Sequence, residues 1–99
     1  FMEKNIIKGT TTRGFKFAID KRIIKDYRFV EILSKTNSDD ENEQLINITK
    51  MVDLLFNNDT KKKEEFLTFL SDEDGFVDAE TVLNEVAEIM QKLGNDAKK

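Results

Sequence analysis

The chain has no cysteine, no histidine, no tryptophan and no proline, and only four glycines in 99 residues. Each absence closes a class of chemistry. Without Cys or His, the usual zinc sites, histidine-ligated haem and a disulfide framework are excluded. The same absence removes Cys–His and Ser–His–Asp nucleophile systems, and any imidazole titrating near neutral pH. The glycines, at 9, 14, 75 and 94, are too dispersed for a Walker loop or a dinucleotide fingerprint. No apolar run approaches the ~18–20 residues that cross a bilayer, and clusters such as Leu54-Leu55-Phe56 are short. No secretory leader is recognisable, and Phe1 ahead of Met2 reads as an addition before a natural start. A soluble, cytoplasmic protein is therefore expected, in which the glycosylation patterns Asn47-Ile48-Thr49 and Asn58-Asp59-Thr60 carry little weight. Twenty acidic residues supply carboxylate pairs in any fold, and no pair is singled out. Composition points to a non-enzymatic binding or structural protein that needs no cofactor.

What the chain does contain suits one small core. Its length matches a single domain, and 38% hydrophobic against 36% charged residues is polar without being disordered. Charge is unevenly placed: residues 1–35 carry a balance of +5 and residues 36–99 a balance of −9. An acidic whole with a basic leading third is a poor general nucleic-acid binder, and is read first as a solvated surface.

Periodicity predicts an α+β, mainly α domain over 1–94, with a strand-like segment at 1–19, four helices across 20–94 and a frayed tail at 95–99. Phe15, Phe17 and Ile19 alternate with polar or small neighbours, as in a strand with one apolar face. Asn5-Ile6-Ile7-Lys8 forms a second short strand, and Gly9, the three threonines and Gly14 make the turn. A lone hairpin is marginal in water and leaves open edges, so it must pack on helices or pair with another chain. This makes it the first candidate for an oligomer or partner contact.

Asp20 is expected to cap a first helix running from Lys21 to Lys35, whose apolar residues cover a broad face. Ser38 and Glu41 have capping-box spacing for a second helix ending near Phe56, with Leu45, Ile48, Met51, Val52 and Leu55 as its stripe. Asn57-Asn58-Asp59-Thr60 turns the chain into a third helix, Thr60 to Leu70. A fourth runs from Asp78 to Leu93, with Val77 and Val82 at staple spacing and Gly94 as C-cap.

Two motifs fail on their own geometry. With Gly75 at position 6 of a calcium loop, Asp72 and Asp74 fit positions 3 and 5, but Leu70 and Thr81 fall at positions 1 and 12. Turn chemistry is the better account of this acidic loop. The second and third helices outline a helix-turn-helix, yet the lysines at 61–63 are followed by two glutamates in an acidic surround. Neither nucleic acid nor a membrane is expected as a partner.

The order of segments resembles the small tail assembly chaperones of long-tailed bacteriophages and prophages. The likeness is carried by Thr10 to Asp20, by Asp-Tyr-Arg-Phe-Val-Glu at 26–31, by Met51-Val52-Asp53-Leu54-Leu55, and by Asp74-Gly75-Phe76-Val77 leading into the last helix. It spans about Ile7 to Leu93 and includes no catalytic signature. The resemblance implies a scaffold that coats the helical, aggregation-prone tape-measure protein, helps recruit the major tail protein and leaves the finished particle. It also implies a longer frameshifted form, for which Lys98-Lys99 would suit an adenine-rich slippery site. The contact surface is expected at Phe15, Phe17 and Ile19 on the strand, and at Tyr27 and Phe29 on the first helix. Alternatives are a small DNA-binding regulator and another phage structural adaptor or connector.

Overall fold

In the computed structural model, residues 5–97 are described. Phe1, Met2 and the terminal lysines at 98 and 99 lie outside them. Two strands, β1 (Ile6–Thr10) and β2 (Lys16–Asp20), form an antiparallel hairpin in which Ile7 faces Ile19 and Gly9 faces Phe17. The loop is set by hydrogen bonding. Thr11 N–H donates to the Phe15 carbonyl and Gly14 N–H to the Thr11 carbonyl, both at 2.9 Å, and Gly14 takes a φ of 104° that favours glycine. Gly9 is required for another reason: a Cβ there would stand 2.6 Å from the Phe17 ring, which lies across it.

Four helices follow the hairpin: α1 (Tyr27–Ser34), α2 (Glu41–Leu55), α3 (Thr60–Leu70) and α4 (Ala79–Ala97). The mainly helical, single-domain architecture is as the periodicity predicts, and the radius of gyration of 13.3 Å matches the ~13 Å of a folded chain of 100 residues. The helix α4 is central. Val86, Ile89 and Leu93 are fully buried on it, against Phe29, Met51 and Phe66 from the other three helices.

Three boundaries differ from the sequence reading, each for a local reason. The expected helix Lys21–Lys35 is two pieces: a 3-10 turn over Lys21–Lys25, then α1. Asp26 is extended, and its carboxylate accepts from Arg28 N–H at 2.9 Å and Phe29 N–H at 3.2 Å, which starts a new helix. Second, α2 is capped by Asp40, which accepts from Asn42 N–H at 2.9 Å, and not by Ser38, whose hydroxyl instead accepts from Asp40 N–H. Third, Gly94 does not end α4, which continues to Ala97 where a frayed tail was expected.

The link between α2 and α3 is closed by a Schellman pattern. Asn57 and Asn58 sit at φ of 55° and 59°, with Asn58 N–H donating to the Asp53 carbonyl and Asn57 N–H to that of Leu54. Asp59 then caps α3 through Lys62 N–H. Among the described residues, no helix is long and apolar enough to cross a membrane.

Two stability changes of opposite sign test these boundaries. A Cβ on Gly94 meets nothing within 4 Å, so Gly94→Ala should raise unfolding free energy by about 0.5–1 kcal/mol in urea denaturation. Asp26→Ala should lower it by about 1 kcal/mol through loss of the cap. A neutral Asp26→Ala would restore the single continuous helix.

Candidate functional site

The hairpin is fixed to the helices by its loop. Glu85, on α4, is buried in the apolar stripe between Val82 and Ile89. Its carboxylate accepts from the Thr11 hydroxyl at 2.5 Å and faces Arg13 Nε at 3.5 Å. One turn on, Glu88 accepts from both the backbone N–H of Thr12, at 2.6 Å, and its hydroxyl, at 3.0 Å. Thr11 Oγ1 in turn accepts from Phe15 N–H at 3.0 Å, so one side chain closes the loop and docks it. The sequence contained a signal for this: Glu85 lies three residues after Val82 and four before Ile89, on the apolar side of α4.

Docking the loop places Phe15 over α3. Its ring meets Phe66 edge-on, with centroids 5.0 Å apart, and lies 5.4 Å from Phe69; Phe56 completes the cluster against Phe66. Two adjoining hollows of 740 and 430 Å³ follow the outer edge of β2, and both touch Ala18, Phe56 and Lys62. A separate hollow of 310 Å³ lies between α2, α3 and the start of α4. Its walls are apolar, from Leu45, Ile48, Val52, Leu67, Val77 and Val82, with Asp53 and Lys63 at the rim. Those two are themselves an ion pair at 3.0 Å.

The contact residues expected from sequence do not form one surface. Phe17, Ile19 and Phe29 are core residues, between 0% and 5% exposed. Phe15 is half-buried in the aromatic cluster, and Tyr27 alone is open, at 80%. Phe17 and Ile19 are buried because the docked hairpin turns that face onto the helices, and Tyr27 and Phe29 are separated by the break at Asp26. A 3-10 turn advances about 120° per residue against about 100° in an α-helix, so faces counted from Lys21 lose register beyond it. The groove residues were legible in other roles: Leu45 in the stripe of α2, Leu67 as apolar content of α3 and Val77 as a staple residue ahead of α4. Leu45 was assigned to the core stripe of α2 and is instead 47% exposed.

The acidic loop is a turn. Asp72 Oδ1 accepts from the N–H groups of Asp74 and Phe76 at 2.9 and 3.0 Å, and Gly75 closes it at a φ of 80°. Among the described residues, no three acidic side chains converge as metal ligands do. Asp20, capping the 3-10 turn, has its carboxyl held below the usual carboxylate range by hydrogen bonds from Arg22, against a smaller opposing effect of desolvation. That stability is fully present above the ordinary aspartate pKa and is lost as pH falls through the lowered one.

No family model, curated protein or solved structure matches this chain.

The docking contact is measurable. Thr11→Val keeps shape but leaves the Glu85 carboxylate without its hydroxyl donor, and should cost about 1.5–3 kcal/mol in chemical denaturation. Thr11→Ser, which keeps the hydroxyl, should cost under about 1 kcal/mol. Equal losses from the two would show that the methyl group, not the hydrogen bond, holds the loop.

Proposed function

We propose that the protein is a non-enzymatic tail assembly chaperone of a long-tailed bacteriophage or prophage. On this reading it works in the host cytoplasm, holds apolar helical stretches of the tape-measure protein, and helps gather the major tail protein around them. The observation that carries the reading is the open apolar groove between α2, α3 and the start of α4. Grooves of this kind accept one face of an amphipathic helix, through anchors spaced three or four residues apart. A chain with 36% charged residues suits a scaffold that must stay soluble with an aggregation-prone client. The order of segments from Thr10 to Val77 supplies the phage assignment.

Co-expression with the tape-measure protein, followed by co-purification, tests this directly. The wild-type chain should keep the client in solution and elute with it. Leu45→Glu combined with Leu67→Gln should weaken retention at least tenfold while the chain stays folded, since Leu45 is exposed and Leu67 half-buried. Tyr27→Ser should leave retention unchanged, and the opposite pattern would move the contact to α1. A client that stays insoluble and unbound with the wild type would sink the chaperone reading and direct attention to salt-dependent binding of duplex DNA.

A further inference from the structure

Two aromatic features of the surface match each other. The first is Phe76, 62% exposed in the turn between α3 and α4. Its backbone is fixed there: Phe76 N–H donates to Asp72 Oδ1 at 3.0 Å, and its carbonyl accepts from Asp72 N–H at 2.9 Å. The turn thus presents the ring to solvent, with Asp72, Glu73 and Asp74 exposed beside it. The second feature is the 430 Å³ hollow beside β2 and α3, walled by Phe15, Phe17, Phe56 and the partly exposed Phe69. Lys16 and Lys62 flank it against a single carboxylate, Glu65, so this hollow is positive on an acidic protein. Among the described residues, neither of these lysines and none of the three acids of the turn is in an ion pair. Phe76 does not line the hollow of its own chain.

We propose that the Asp72–Phe76 turn of one copy of this chain docks in the hollow of a second copy. The Phe76 ring enters among the phenylalanines, where aromatic pairs settle with centroids about 4.5–7 Å apart. The carboxylates of the turn then lie near Lys16 and Lys62. Each surface supplies what the other lacks, because an exposed ring leaves water and opposite charges meet. The ordering cost is low, since the turn is already closed by its own hydrogen bonds in the free chain. Charge also selects this hollow over the groove between α2, α3 and the start of α4. There Asp53 and Lys63 neutralise each other at the rim, which leaves nothing to attract an acidic turn. One aromatic anchor makes a small, transient contact. The inference uses no property of the proposed client and stands or falls apart from it.

The chain has no tryptophan, so Phe76→Trp puts a single fluorescent reporter on the turn, while Phe76→Ser removes the ring and keeps the hollow. A trace of the Phe76→Trp chain, titrated with the Phe76→Ser chain, should shift its emission saturably to the blue as the indole leaves water. Adding Lys16→Glu and Lys62→Glu to the Phe76→Ser chain should weaken this binding at least tenfold. Both lysines are exposed, so the far-UV circular dichroism spectrum should not change. Added salt should weaken the binding as well. In sedimentation, the average mass of the wild type should rise above 11.5 kDa with concentration, and that of Phe76→Ser alone should not. Emission unmoved up to about 1 mM overturns the proposal. So does equal binding by the charge-reversed chain, or self-association that survives Phe76→Ser. A blue shift that needs the tape-measure protein would give the ring to that client and overturn it too.

Discussion

A buried carboxylate holds the two halves of this protein together. Glu85 lies inside the apolar stripe of α4, where an unpaired charge would cost several kcal/mol. The hairpin loop is what satisfies it: the Thr11 hydroxyl donates, Arg13 supplies opposite charge, and Glu88 takes the next residue's N–H and hydroxyl. A two-stranded hairpin is marginal by itself. Here its instability and the cost of the buried glutamate are relieved by the same contact.

Other features follow from where that contact puts the hairpin. With the loop on α4, Phe17 and Ile19 enter the core and Phe15 reaches Phe66 and Phe69. The β1 strand contacts α4, while a hollow separates β2 from the end of α2 and the start of α3. The hairpin thus buries one face, Phe17 and Ile19, in the core and turns Lys16 and Ala18 to solvent.

The helical part is organised by caps. Asp26, Asp40, Asp59 and Asp78 each accept from backbone N–H groups at a helix start. Aspartate is used at every one of these starts, and with no proline to stop a preceding helix these carboxylates mark where each begins. Asn57 and Asn58 perform at the end of α2 what glycine commonly does elsewhere. As a result α2 and α3 are held with Asp53 near Lys63, and the apolar groove opens between them and the start of α4.

The alternation of Phe15, Phe17 and Ile19 was enough to place the strand, and apolar spacing with turn residues located four helices and the α2–α3 turn. Those signals are local, and local geometry obeys them. The sequence did not distinguish Asp26 as a helix breaker from Asp26 as one charge on a longer helix, since both fit the same spacing; only packing of Phe29 into the core decides it. Nor did it separate apolar residues that face a partner from those that face the core. Leu45 and Phe29 read alike in sequence, and their burial depends on which distant elements arrive beside them. The composition by itself excluded cysteine and histidine chemistry. The tertiary structure alone determined that Glu85 is buried and that the groove is open, because each depends on residues brought together from far apart in the chain.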